Sequence, residues 1–369
     1  MTIYQTTNIQ EQILEDWFPF SKNHYNKNFL NHNCIIAGGN SDINYEHSQI
    51  LMFNIALNSM KNDIDVFIFD STNQHQKLAE AGSIPYKKIT KDHNIYLDPF
   101  KQLDNEDTTE KNLSIANLLS SIAKTYLDQD FTEENNEVLQ EIIAKTLSQY
   151  PGTRTMEDFL EILKKETRDD LNHVIEIFTK FTRKEQLRDS QKVQKNDFTD
   201  GLVDIDPNKR MAFFEFANLY YDLKLPYAKV ALIIDLIIQK YSASQDKKFM
   251  IIFPDGFRIL NGLSEFLKDT TKVIQSINGS FVLCTDTGLD DFINNKNSLE
   301  FFNETYSKFY LPMSPTQINN LKSKMNMDKI LIRILETLKY DLKGKETEIL
   351  LTNRDIIQLS NIELVYKNK

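Results

Sequence analysis

Short unbroken apolar runs alternate with segments of helical period over most of this chain. Asn33 to Ala37 (NCIIA) predicts a buried strand, and Gly38-Gly39-Asn40-Ser41 after it a loop. From His47 to Met60, Ile50, Leu51, Phe53 and Leu57 recur at helical spacing along a mostly apolar face. Ile64 to Phe69 (IDVFIF) predicts a second buried strand ending at Asp70, with a short helix over Asn73 to Ala81. Further strands are expected at Met211–Phe216, Lys248–Phe253 and Ser280–Cys284. Helices are expected at Tyr227–Tyr241, Gly262–Ile277, Gln317–Met325 and Lys329–Leu338, with closing strands at Glu348–Thr352 and Ile362–Tyr366. Fully apolar strands alternating with helices predict an α/β protein: a mostly parallel sheet covered by helices on both faces.

The pattern changes between Asp104 and Leu187. Helical periods run through Leu113–Leu127, Glu134–Ser148, Met156–Lys165 and Leu171–Phe181 with no strand between them. The expectation is an all-helical insertion at about 104–187, the size of a small subdomain. Arg183 to Gly201 is strongly polar and reads as an exposed loop. Residues 1–30 are polar and aromatic with weak periodicity, and read as a leader packing on a main domain of 31–369.

Composition narrows the function classes. The 369 residues are 41% hydrophobic and 26% charged, ordinary for a globular chain. A net charge of -10 argues against broad DNA binding, which needs a positive field. Lys180, Arg183, Lys184 and Arg188 form a local basic cluster, but acidic neighbours favour a solvated face. No basic segment followed by an apolar run opens the chain, and no apolar run is long enough to span a bilayer, so the expected location is cytoplasmic. Cys34 and Cys284 are too few for a disulfide framework and read as buried, reduced strand residues. His32 and Cys34 have no second pair to complete a metal site, so no metal is expected.

Ligands of open α/β sheets sit at the carboxyl ends of the strands. A phosphate-binding loop laid on the first strand–helix junction would occupy Gly38 to Tyr45. Only its first glycine is kept. Ile43 stands at the second glycine, Asn44 at the lysine and Tyr45 at the magnesium-binding hydroxyl, while Asp42 adds a negative charge. Without the lysine, β- and γ-phosphate charge goes unneutralised. From these residues alone, a structural turn is preferred to a residual anion site. Asp255 lies in Pro254-Asp255-Gly256, which reads first as a turn. Asp70 with Ser71-Thr72 reads as a helix cap or a pocket group, and Asp290-Asp291 as a helix start or a cleft group.

The order of these segments resembles the ATPase domain of the TraC-like conjugative-transfer and type IV secretion ATPases of the HerA/FtsK group, from about Pro19 to the C-terminus. Asn31-His32-Asn33-Cys34-Ile35-Ile36-Ala37-Gly38 is similar to the family's asparagine-rich approach to its P-loop strand, and Val66-Phe67-Ile68-Phe69-Asp70 to its second strand. Leu97-Asp98-Pro99-Phe100 is similar to its N-P-F segment, and Glu348-Ile349-Leu350-Leu351 to its late strand. Met250 to Phe257 resembles the Walker B stretch, with Pro254 at the metal-linked aspartate and Asp255 at the catalytic glutamate. The helix Leu263–Ile277 with Asn278-Gly279 resembles the stretch ending R-K-x-N-G, with Gln275 and Ser276 at its arginine and lysine. Thr285-Asp286 takes the place of T-Q, and Asp290 that of a following aspartate.

Strands and turns of the family are kept while its charged catalytic residues are replaced. The resemblance therefore implies a RecA-like fold that has lost ATP hydrolysis, a structural or regulatory subunit of a conjugation or type IV secretion machine. No catalytic residue is expected, Asp255 being the base only if the chain is active. No cofactor is expected, with weak ATP and magnesium binding as the alternative. The implied partners are other secretion or conjugation subunits at the inner-membrane base, an active ATPase paralogue among them, and not nucleic acid. Any membrane association would run through these partners. An active or nucleotide-binding ATPase using non-standard residues, and a protein-binding module reusing the fold, are the competing readings.

Overall fold

The computed structural model describes residues 3–5, 33–38, 42–72, 74–89, 98–100, 109–127, 131–149, 155–165, 171–187, 203, 205, 207–216, 224–244, 246–285, 293–325, 327–339, 346–352, 357–363 and 365–367. The chain divides into two compact units. One comprises residues 1–86, 205–214 and 246–369, the other 87–204 and 215–245.

The strands are β1 (Ile3–Gln5), β2 (Cys34–Ala37), β3 (Ile64–Asp70), β4 (Tyr86–Lys88), β5 (Met211–Glu215), β6 (Lys248–Phe253), β7 (Gly279–Thr285), β8 (Ser307–Tyr310), β9 (Glu346–Thr352), β10 (Ile357–Glu363) and β11 (Val365–Lys367). Nine of them form one sheet in the order β10-β9-β8-β2-β7-β6-β3-β5-β4, and β1 pairs with β11 separately. In its centre β8, β2, β7, β6 and β3 run parallel, with Cys34 opposite Val282 and Phe249 opposite Gly279. These are the strands whose residues are buried on both faces, as a parallel sheet requires. β9 and β10 add an antiparallel edge, with Phe309 opposite Leu351 and Leu350 opposite Leu359.

Each face of this sheet is covered. Cys34, Ile36, Val66, Ile68, Met250, Ile252, Val282 and Cys284 point into one core with Leu51, Met52, Ile55 and Ala56 of the helix Asp42–Lys61. Phe281 points to the other face, where its ring lies 5.9 Å from Phe253 and 6.5 Å from Phe301 of the helix Lys296–Glu304.

Several elements depart from the sequence expectation. The helix expected at His47–Met60 starts at Asp42, so the loop before it is shorter than the glycine-rich pattern suggested. The helix expected at Gly262–Ile277 spans Gly256–Ser276, and Leu263 leaves helical geometry at φ -132°, ψ 17°. Gly262, the expected start of the helix, instead adjoins a bend inside it. The short helix after β3 lies at Gln76–Gly82 rather than Asn73–Ala81. Arg183–Leu187, expected as loop, is helical, and 188–201 lies outside the described residues. The final strand, expected at Ile362–Tyr366, is β10 and β11, because Gln358, Ser360 and Asn361 break the apolar pattern that sequence reading follows. β4 and β8 and the helix Lys296–Glu304 were not legible at all.

The second unit is helical. Thr109–Leu127, Glu133–Gln149, Met156–Leu163 and Asn172–Thr179 bury an aromatic cluster in which Phe159 meets Phe100 at 5.5 Å and Phe178 at 5.4 Å. Thr155 caps Met156–Leu163 reciprocally with Asp158, and the buried Asp98 accepts from the amides of Phe100 and Met156. The helix Lys224–Ser242 also belongs here, and Val230 to Ile238 is buried on every side. Among the described residues no helix is long and apolar enough to cross a membrane.

Candidate functional site

Because β2, β7, β6 and β3 are parallel and adjacent, their carboxyl ends share one edge of the sheet. That edge carries Gly38 after β2, Asp70 at the end of β3, Pro254-Asp255 after β6 and Thr285 at the end of β7. Gly38 is buried, and Gly39 to Ser41 lie outside the described residues. Ile43, Asn44 and Tyr45, with Asp42, form the first turn of the helix Asp42–Lys61. Asp286 and Asp290 lie outside the described residues.

Asp255 is fully buried, and its Oδ2 accepts a hydrogen bond from the hydroxyl of Ser71. That bond ties the turn after β6 to the turn after β3. Pro254 and Asp255 do make the turn that the sequence suggested, but Asp255 immediately precedes a helix and does not cap it with its side chain. The helix leaves so close to β7 that a Cβ on Gly256 would stand 3.0 Å from the Cys284 carbonyl oxygen and 3.0 Å from Leu283 Cβ.

Asp70 anchors a second polar cluster on the same edge. Its Oδ1 accepts from the amide and hydroxyl of Thr72, both at 2.9 Å. Its Oδ2 accepts from the His75 amide at 3.1 Å and the Tyr86 hydroxyl at 3.0 Å, and lies 3.2 Å from His75 Nδ1. Burial alone would raise this carboxyl, but the His75 imidazole and the surrounding amides outweigh it and hold the group at about 2. His75 Nε2 lies 2.9 Å from Gln49 Oε1, so the cluster reaches the helix that follows the Gly38 turn. The imidazole sits between Phe53, at 5.4 Å and edge-on, and Phe213, at 6.2 Å and stacked. Asp70 thus organises the turn leading to the helix Gln76–Gly82, whose N-cap position is His75.

Gln275 is not on this edge. It stands in the last turn of the helix Gly256–Ser276, half-buried, nineteen positions beyond the residue that opens it. At about 1.5 Å per helical residue this is most of the length of the helix. Sequence reasoning singled out Gly38, Asp70, Pro254 and Asp255, which the sheet does bring to one edge. It named Ser71 only as part of a cap beside Asp70, not as the partner of Asp255, and it missed His75, Gln49 and Tyr86. The histidine five positions after a strand-ending aspartate was the one local signal, and Gln49 was hidden in a helix read for its apolar face. Among the described residues no three histidine, cysteine, aspartate or glutamate side chains are grouped to hold a metal ion.

No protein-family model matches the sequence, and no curated protein is similar to it. The fold does have solved counterparts. VirB4 of Thermoanaerobacter pseudethanolicus superposes with a TM-score of 0.65 over 91% of this chain and 90% of that one, at 13% sequence identity. The chain has the VirB4 fold. The plasmid coupling protein TrwB in complex with the ATP analogue ADPNP matches over 91% of this chain and 86% of its own, at 12% identity and a TM-score of 0.49. That second likeness is too loose to bear on the fold. The mostly parallel sheet covered by helices is the architecture expected from the sequence.

Proposed function

We propose that this chain is a non-hydrolysing relative of the conjugation and type IV secretion ATPases, working as a structural or regulatory subunit. The observation that carries the reading is Asp255. It is the one carboxylate at the Walker B-like turn, and it is wholly buried and bonded to Ser71. A general base must reach the attacking water, and a group committed to a neighbouring hydroxyl in the interior is poorly placed to do so.

The surrounding substitutions support the same reading. Pro254 offers no carboxylate for magnesium, and Asn44 brings no charge to a phosphate. Phosphoryl transfer depends on positioning and charge neutralisation by a lysine, a metal ion and an added cation. Gln275 brings no charge for a neighbouring subunit's site. The reading divides the chain into a leader over 1–30 and a RecA-like domain over 31–369 interrupted at about 104–187. It places the protein in the cytoplasm, held at the inner-membrane base by other secretion subunits.

One observation favours nucleotide binding without hydrolysis. The helix Asp42–Lys61 begins close behind the buried Gly38, and its amino end presents backbone N–H groups at the strand edge. Phosphate release by the purified chain, with Asp255→Asn as contamination control, tests the main reading. Turnover near that of a working ATPase, about one per second, and lost in the control, would overturn it. Equilibrium titration with magnesium-ATP separates silent binding from none.

A further inference from the structure

The helix Lys329–Thr337 has two apolar faces where a surface helix needs one. Ile332 and Leu335 point inward and are buried. Ile330, Arg333, Ile334 and Thr337 recur at the spacing that puts them together on the opposite side. Ile330 is 62% exposed, the most open large hydrophobic side chain among the described residues, and Ile334 is partly exposed one turn later. Asp328 fixes the start of this helix by accepting from the Ile330 amide at 2.6 Å, so the exposed isoleucine sits on a capped, ordered turn.

Cations surround this stripe. Lys329 and Arg333 are exposed on the same helix, and Lys322 and Lys324 on the preceding helix Pro315–Met325, which packs against it. Among the described residues none of the four has an acidic partner within ion-pair distance. In a chain with a net charge of -10 this is a local reversal of sign. Cations with no acidic partner among the described residues, ringing the exposed Ile330 and the partly exposed Ile334, form a core and rim of the kind that protein interfaces show.

We propose that the outward face of Lys329–Thr337, with Lys322 and Lys324 beside it, docks an acidic segment of another protein. Ile330 and Ile334 receive its apolar side chains, and Lys322, Lys324, Lys329 and Arg333 meet its carboxylates. An anionic bilayer fits less well. It would extend beyond the patch and face the negative charge of the remaining surface, whereas a segment meets the patch alone. Two isoleucines one turn apart match the anchor spacing of a helix or short peptide. The docking surface is independent of whether the strand-edge site hydrolyses ATP.

The test uses the full chain and a fluorescein-labelled synthetic peptide with glutamates flanking two leucines one helical turn apart, followed by anisotropy. Saturable binding is expected, weakening with salt, and falling about tenfold or more in Ile330→Ser and in Arg333→Glu, as for hot-spot residues. A control peptide with serines for the leucines should bind comparably weakly. Both substitutions point outward, so an unchanged melting temperature certifies the fold. If either variant fails to fold, Lys322→Glu on the neighbouring helix serves instead. No saturable binding, or binding that the variants retain, overturns the proposal. So does co-sedimentation of wild type with phosphatidylglycerol vesicles, or retention by single-stranded DNA, that Arg333→Glu abolishes while the peptide fails to bind.

Discussion

His75 Nδ1 lies 3.2 Å from Asp70 Oδ2, and both side chains are buried. The pair closes the turn after β3 and joins it through Gln49 to the helix after β2. Losing Asp70 leaves the His75 and Thr72 amides and the Tyr86 hydroxyl without this acceptor in the interior, so Asp70→Ala should cost about 1–3 kcal/mol. Chemical denaturation of the variant checks this.

The same carboxyl sets an acid limit. Its folded value, about 2, is below the ordinary aspartate value. Between about pH 4 and pH 2 the unfolded chain therefore takes up the proton more readily than the folded one. The stability Asp70 contributes is present above that window and is lost as pH falls through it. In Asp70→Asn the melting temperature should depend less steeply on pH between 4 and 2 than in wild type.

Asn44→Lys alone should not create an ATPase. It restores one cation, but Pro254 still supplies no metal ligand and Asp255 still bonds to Ser71. Removing one electrostatic contact of this kind costs about 3–4 kcal/mol of barrier, and several are missing together. Phosphate release by the variant should stay at the wild-type background. A gain that Asp255→Asn abolishes would make Asp255 a working base.

Cys34 and Cys284 are diagonal neighbours on β2 and β7, since Cys34 faces Val282 and Ile36 faces Cys284. Such diagonals are about 7–8 Å apart, beyond the usual reach of a disulfide. Neither thiol is in a disulfide and both are fully buried, and burial pushes Cys34 well above the ordinary thiol range despite the nearby Lys308. Labelling by a thiol reagent in native buffer should proceed only at the rate at which the sheet opens, and at once in denaturant.

Gly256→Ala should be destabilising although alanine favours helices. Its Cβ would press on the Cys284 carbonyl and on Leu283, neither the far end of a flexible chain. A loss of about 1–3 kcal/mol is expected, as for other overpacked sites, read as a lower denaturation midpoint at unchanged slope.

The parallel centre of the sheet was legible because strands buried on both faces must be apolar throughout. Cys34–Ala37, Lys248–Phe253 and Phe281–Cys284 could hardly be anything else. β4, with Lys87 and Lys88, and β8, with Lys308, are short and interrupted by charge, so no period shows. The strand-edge positions followed from topology once the strands were known. Their partners did not, since Ser71 reaches Asp255 across 184 positions and His75 reaches Gln49 across 26. Hydrogen bonds between side chains so far apart leave no periodicity to read.

The bend at Leu263 makes the helix after β6 two levers on one joint. Gly256 pins the short arm against β7, and the long arm is held elsewhere, by Lys268 bonding Glu300 at 2.8 Å. Because the helix leaves helical geometry at Leu263, the Asp255 turn and Gln275 do not share one straight helix axis.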